Sequence, residues 1–197
     1  MEIIFNYAQR STNAILAPVR ITRDKLYDAF LIQYNRQGCN SMERLYEKSA
    51  INEYSVFVSK PTEVYPGLYL GSAYNAVSYQ TLIDKNIKYI VNVTVEISNY
   101  YDGNQLFEYL QIPIRDNNTD SISAYLSSSY DFIDNALSKN DGNVLIHCFM
   151  GASRSASIVA NYISKKQNKE IDETIKELRL KRSSVNPTIK FVNELKS

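Results

Sequence analysis

The sequence predicts an α/β fold, with a central, mostly parallel β-sheet flanked by helices and a helical extension at the N-terminus. From about residue 62 onward, short β-branched runs alternate with longer stretches in which apolar residues recur at helical spacing. Runs that are apolar throughout are typical of strands buried on both faces, as in parallel sheets. The first 60 residues lack this alternation and contain only helical patterns.

The extension contains two candidate helices. Thr22 can cap a helix over residues 23–34, whose apolar side chains fall on one face. A second helix can begin at Asn40 or Ser41. An apolar helix face of this kind packs on its own domain, or it docks a partner or a second copy of the chain, and the sequence leaves these alternatives open.

The second region follows a regular order of elements. They are a strand and turn over 64–71, a helix over 75–85, strands over 87–93 and 107–112, an amphipathic helix over 122–137, a strand over 143–146, and helices over 155–166, 171–180 and 187–195. Pro113 ends the strand over 107–112. Pro187 stands in the first turn of the last helix, where its missing N–H is not needed. We expect residues 1–60 and 61–197 to form an extension and one catalytic domain.

Composition excludes several classes of protein. The 197 residues are 44% hydrophobic and 22% charged, as in ordinary soluble domains. A net charge of +1 gives no argument for binding nucleic acid or an acidic membrane surface. No run approaches the roughly 18 apolar residues of a membrane helix, and the first residues do not resemble a secretory signal. We therefore expect a cytoplasmic protein with access to the nucleus, and no membrane or nucleic-acid partner.

Cysteine and histidine are scarce. The two cysteines, Cys39 and Cys148, form no disulfide pattern, which favours a reducing compartment. With a single histidine, His147, and no paired cysteines, there is no metal site to propose. We expect the chemistry to need neither a metal nor a cofactor.

The most informative stretch is HCFMGASRS at residues 147–155, which has the form H-C-x5-R-S. A short apolar strand precedes it and a helical pattern follows it, so that the backbone N–H groups of the intervening loop can surround an anion at a helix N-terminus. Cys148 would be a thiolate nucleophile in this loop. Arg154 is at the right spacing to hold two oxygens of one phosphoryl group. The pattern predicts a phosphate-handling cysteine site.

Residues 62–197 resemble the catalytic domain of the dual-specificity protein phosphatases, within the cysteine-based tyrosine phosphatase superfamily. The matching stretches are PGLYLGS at 66–72, IVNVT at 90–94, IPIRD at 112–116, the motif at 147–155, and VNP at 185–187 leading to Phe191. One departure is Thr188, where family members often carry an asparagine that is usually structural. The first 60 residues match nothing assignable.

The resemblance implies a role for each residue of the motif. Cys148 attacks phosphorus and forms a phosphocysteine, Arg154 stabilises the transition state, and Ser155 eases departure of the thiolate in the second step. His147 orients the loop by hydrogen bonding. The phosphate-binding loop itself is made of Phe149, Met150, Gly151, Ala152 and Ser153.

A leaving oxygen needs a proton, which a carboxylic acid on a loop can supply before it activates water. Asp116 follows a strand that ends in Ile-Pro, where the family carries its general acid. Asp120 is the competing candidate, and Asp102 is more remote. We expect Asp116 to be the acid.

The loop also indicates the substrate. Its residues 149–153 include no Lys or Arg, whereas phosphoinositide phosphatases of the superfamily place basic residues there. A monophosphate on protein Tyr, Ser or Thr fits best, in a shallow pocket, so phosphoproteins are the expected substrates. The alternatives are an atypical member acting on RNA 5′ phosphates or another non-protein phosphate ester, and a non-catalytic module that binds phosphoproteins. Residues 1–60 could mediate a homodimer or dock a partner.

Overall fold

The structure, a computed structural model, describes residues 3–5, 19–21, 55–117 and 119–197. The helices predicted over residues 23–34 and from Asn40 or Ser41 lie outside the described residues. Two short strands, β1 (Ile3–Phe5) and β2 (Val19–Ile21), pair antiparallel in the N-terminal region. No strand is predicted there from the sequence, because a three-residue strand is shorter than the window over which periodicity can be recognised.

A five-stranded sheet forms the centre of the fold. Its strands are β3 (Thr62–Tyr65), β4 (Leu68–Gly71), β5 (Ile87–Asn92), β6 (Glu108–Gln111) and β7 (Asn143–His147). They lie in the order β3-β4-β7-β5-β6, in which β3 is antiparallel to β4 and the other neighbours are parallel. The prediction of a mostly parallel sheet flanked by helices is confirmed.

Six helices accompany the sheet in the part of the chain from residue 61 onward. They are α1 (Ala73–Val77), α2 (Tyr79–Asp84), α3 (Leu126–Lys139), α4 (Arg154–Gln167), α5 (Ile171–Lys181) and α6 (Ile189–Lys196), with a 3-10 turn at Ser123–Tyr125 before α3. The prediction of a single helix over residues 75–85 was wrong, because α1 and α2 occupy this stretch. Ser78 has an extended backbone and its Oγ accepts the Thr81 N–H, so it ends α1 and caps α2.

The apolar core lies on both faces of the sheet. Val144 and Ile146 of β7 point to one face, where they join the cluster that includes residues of α3 and α4, while Leu145 points to the other, with residues of α1 and α2. This follows from the two-residue period of a strand. Because β7 is central and α4 is buried over most of its length, the loop between them is anchored at both ends in the core of the fold.

The carboxyl ends of β4, β5 and β7 meet at one edge of the sheet, since these strands are parallel. Ligands of open α/β sheets bind at this edge. Residues that follow these strands are therefore brought together although they are far apart in the chain.

Candidate active site

Cys148 lies at the bottom of the loop that joins β7 to α4. Its side chain is buried, and its Sγ accepts hydrogen bonds from the Gly151 N–H and the Ser155 hydroxyl, each at 3.2 Å. Gly151 has φ +71°, and a Cβ atom there would lie 2.4 Å from the carbonyl oxygen of Gly71. The tight turn therefore requires glycine at this position. The thiol thus receives one backbone N–H and one hydroxyl group beside the start of α4.

Hydrogen bonds from other parts of the chain hold the outer side of the loop in place. The four consecutive carbonyls of residues 149–152 accept from donors outside the loop, at 2.8–3.2 Å. The donors are the Ala73 N–H, two nitrogens of the buried Arg182 side chain, and the Asn186 N–H. Since the C=O and N–H of one peptide unit point in opposite directions, carbonyls fixed outward direct the following N–H groups inward. The result is a nest for an anion.

Arg154 is held along one edge of its guanidinium group. Its Nη1 donates to Glu96 Oε2 at 2.9 Å and to the Ile114 carbonyl at 3.2 Å, and lies 2.7 Å from Glu96 Oε1. Its Nε is buried and makes no hydrogen bond in the structure, and Asp116 Oδ2 lies 3.8 Å from it. Burial disfavours the cation, but Cys148 and Glu96 outweigh it and raise the pKa of Arg154 above its usual value. Arg154 is therefore charged, and its Nε has no hydrogen-bond partner.

Asp116 and Asp120 occupy different settings. Asp116 accepts a hydrogen bond at 2.9 Å from the hydroxyl of Ser153, so its carboxyl group lies against the phosphate-binding loop. Asp120 accepts the Arg115 N–H, and this bond, with the nearby Arg115 guanidinium, lowers the pKa of Asp120. The geometry favours Asp116 over Asp120 as the proton donor. Asp102 lies in the turn at residues 99–104, where its N–H bonds the Asn99 carbonyl.

His147 is fully enclosed below the loop. Burial, with the nearby Arg154 charge, lowers the pKa of His147 to about 4, so the imidazole is neutral at physiological pH. Its Nδ1 lies 3.4 Å from the Cys148 carbonyl oxygen, to which it donates in the appropriate tautomer. This position suits an orienting role and is unsuited to proton transfer with a ligand above the thiol.

Sequence reasoning missed Glu96 and Arg182. Glu96 lies in the loop after β5, 58 residues before the arginine it contacts, and Arg182 follows α5. The spacing of the motif gives no sign of either. A buried arginine is often paired with a carboxylate, as Arg154 is with Glu96, but the chain has 21 acidic residues and nothing local selects one.

Grouped metal ligands and membrane-spanning helices are both absent from the described residues. Within residues 55–117 and 119–197 and the two short N-terminal strands, no three His, Cys, Asp or Glu side chains are grouped so as to hold a metal ion. None of the helices described is long and apolar enough to span a membrane.

A buried thiol within a nest of N–H groups, together with a buried arginine whose Nε makes no hydrogen bond, is typical of the cysteine-based phosphatase class of site. The chain belongs to the dual specificity phosphatase family, because residues 68–197 match the family model described as dual specificity phosphatase, catalytic domain. The predicted family and fold are thus confirmed.

Individual relatives agree with this assignment. The chain is 36% identical to human dual specificity protein phosphatase 9 over 137 residues, which are 70% of this chain and 35% of that protein. Human dual specificity protein phosphatase 6 is also 36% identical over 137 residues, 70% of this chain and 36% of that protein. The crystal structure of human tyrosine phosphatase-like serine/threonine/tyrosine-interacting protein superposes with a TM-score of 0.64 at 30% identity, covering 69% of this chain and 93% of that one. The chain spans about a third of the length of the curated relatives named here.

Proposed function

We propose that the protein is a metal-independent protein phosphatase that hydrolyses phosphotyrosine, phosphoserine and phosphothreonine through a phosphocysteine intermediate. The observation that carries the proposal is the grouping of the Cys148 Sγ, the inward N–H groups of its loop and the Arg154 guanidinium, whose Nε makes no hydrogen bond. A dianionic phosphoryl group bound between them would place its phosphorus opposite the thiolate. Asp116 lies beside this space.

The reaction has two steps. In the first, the thiolate electron pair of Cys148 forms the S–P bond as the P–O bond to the leaving group breaks, and Asp116 gives its proton to the departing oxygen. In the second, Asp116 removes a proton from water, the water oxygen bonds to phosphorus, and the S–P bond breaks to release inorganic phosphate. The Ser155 hydroxyl, 3.2 Å from Sγ, stabilises the returning thiolate. Arg154 offsets the charge on the phosphoryl oxygens in both transition states.

The charges around the loop support a phosphate monoester as substrate. Loop residues 149–153 carry no basic side chain, and the two side chains that approach Arg154 are the acidic Glu96 and Asp116. A substrate with several adjacent phosphates would meet carboxylates where it needs cations. Phosphoproteins are therefore the proposed substrates, and RNA 5′ phosphates or another non-protein phosphate ester the alternative.

The test is phosphate release from matched phosphotyrosine and phosphothreonine peptides and from a 5′-triphosphorylated RNA, with EDTA present. We expect turnover of the peptides that is lost in Cys148→Ser, while this variant still binds a phosphate analogue because the nest survives. Release from the RNA alone would assign the chain to the atypical branch. Tight phosphopeptide binding by the native chain without any release would instead indicate a non-catalytic binding module.

We also propose the division into an extension at 1–60 and a catalytic domain at 61–197, and a cytoplasmic location with access to the nucleus. Contact with a partner or a second copy through residues 1–60 is a hypothesis. A monomeric mass by light scattering at working concentration would rule out the homodimer.

A further inference from the structure

A residue from outside the matched family region contacts the phosphate-binding loop. Phe57, in the helical turn at residues 55–58, is 1% exposed. Its ring stacks on that of Phe149, with centroids 5.3 Å apart and an interplanar angle of 23°. Phe149 directly follows the nucleophile Cys148, whereas Phe57 precedes residues 68–197 that match the family.

Hydrogen bonds join the backbone around Phe57 to residues 72–75, which also bind the backbone of Phe149. The Ser72 hydroxyl donates to the Phe57 carbonyl at 2.6 Å, and the Asn75 side-chain amide donates to the Ser59 carbonyl at 2.7 Å. Between these two residues, the Ala73 N–H donates to the Phe149 carbonyl at 3.0 Å. The turn at residues 72–75 thus contacts both segments, and the ring stack connects them directly.

We propose that Phe57 is a positioning residue for the phosphate-binding loop, and that residues 55–59 belong functionally to the active site. The proposal rests on the proposed function of that loop. The loop gathers N–H dipoles that point toward one another, so outside contacts must hold it in this conformation. The Phe149 carbonyl must point outward for the Met150 N–H to point inward. Stacking on Phe57 restricts rotation of Phe149. It therefore keeps this peptide unit oriented with the Met150 N–H pointing into the loop.

The experiment uses the full chain with Phe57→Leu, Phe149→Leu and the double variant. We would titrate each with sodium tungstate, a phosphate analogue that requires no turnover, well below its melting temperature. The expected result is a tungstate affinity about tenfold weaker in either single variant. The double variant should lose little more than one single variant does, because the two rings act through one contact.

Phe132→Leu is the matched control. Phe132 also forms an aromatic pair, edge-on to Tyr89 with centroids 6.2 Å apart, at the amino-terminal part of the sheet away from the loop. It should lower the melting temperature without changing tungstate affinity.

Failure of the inference about Phe57 and failure of the proposed function would give different results. If Phe57→Leu lowers the melting temperature but keeps the wild-type tungstate affinity within twofold, Phe57 is only a core residue and the inference is wrong. Additive losses in the double variant would equally overturn it. If the wild-type chain binds tungstate but releases no phosphate from any substrate, the proposed function fails while the positioning role of Phe57 can still be measured.

Discussion

Glu96 contacts the Arg154 guanidinium through Nη1, on the edge away from the unpaired Nε. Two effects of its carboxylate oppose one another. Its negative charge weakens the attraction of the site for a phosphate, but its hydrogen bonds fix the plane of the guanidinium. We expect orientation to dominate, because bidentate binding of a phosphoryl group depends on that plane.

The first prediction follows from this argument. Glu96→Ala should lower kcat/KM for a phosphopeptide roughly tenfold to a hundredfold, and Glu96→Gln, which keeps one acceptor, should recover part of the loss. Glu63→Ala serves as the control, because Glu63 accepts the Gly67 N–H in the β3–β4 turn. A rise in kcat/KM on removal of Glu96 would show that it competes with substrate.

A second prediction at this scale separates the two carboxylates of the acid loop. Asp116→Asn should slow hydrolysis of alkyl phosphates, which have poor leaving groups, by about 100-fold or more. Hydrolysis of para-nitrophenyl phosphate should change far less, since its leaving group needs little protonation. The measurement is kcat for a series of leaving groups. If Asp120→Asn shows this dependence instead, Asp116 is not the acid.

At the scale of elements, helix α6 anchors the loop that carries Asp116. The Glu194 carboxylate accepts the Ile122 N–H at 2.8 Å and the Ser121 hydroxyl at 2.9 Å. Lys190 donates to the Asp120 carbonyl at 2.8 Å and also pairs with Glu194. Thr188, the departure from the family pattern, caps this helix by accepting the Phe191 N–H. The C-terminal helix therefore sets the position of the proposed acid.

The pH dependence of stability tests this anchor. Partial burial tends to raise the pKa of Glu194, but hydrogen bonds from Lys190, Ile122 and Ser121 lower it to about 2, from an ordinary value of 4.5. A carboxylate whose pKa is depressed by folding stabilises the protein above its unfolded pKa, and this contribution is lost as the pH falls from about 4.5 through about 2.

The third prediction is that Glu194→Gln has a lower free energy of unfolding than the wild type at neutral pH. As the pH falls across this window, the free energy of unfolding should also decrease less in the variant than in the wild type. Urea unfolding at a series of pH values measures both. Parallel pH profiles for variant and wild type would mean that the loop is not anchored through the Glu194 charge.

At the scale of the whole molecule, the site is assembled from segments spread over the chain. The loops after β5, β6 and β7 supply Glu96, Asp116 and Cys148, and Arg182 follows α5. The central position of β7 and the burial of α4 bring these segments to one edge of the sheet. In this arrangement Arg154 and the loop N–H groups would supply the positive charge that the proposed reaction requires.

The fourth prediction concerns the intact protein. Phosphate release should be unchanged after incubation with EDTA and should be lost after alkylation with iodoacetamide, with inorganic phosphate slowing the alkylation. Mass spectrometry should find the protected label on Cys148, and Cys39 serves as the internal comparison. Loss of activity on chelation, restored by a divalent cation, would contradict a metal-independent mechanism.

The sequence alone determined those features whose cause is local in the chain. The nucleophile, the arginine and the loop between them lie within residues 147–155, and their chemistry depends on spacing that can be counted. The parallel sheet follows from alternating apolar runs and helical patterns. The break at Ser78 was missed because a short helix can end at a serine without any change in apolar spacing.

Only the tertiary structure decided which distant residues complete the site. Glu96 contacts Arg154, which lies 58 positions later, and Arg182 contacts the carbonyl of Gly151, which lies 31 positions earlier. Phe57, which precedes the matched family region, stacks on Phe149. None of these residues differs by type from many others in the chain. Glu96 reaches Arg154 because parallel strands bring their carboxyl ends together, and all three contacts depend on the path of the whole chain.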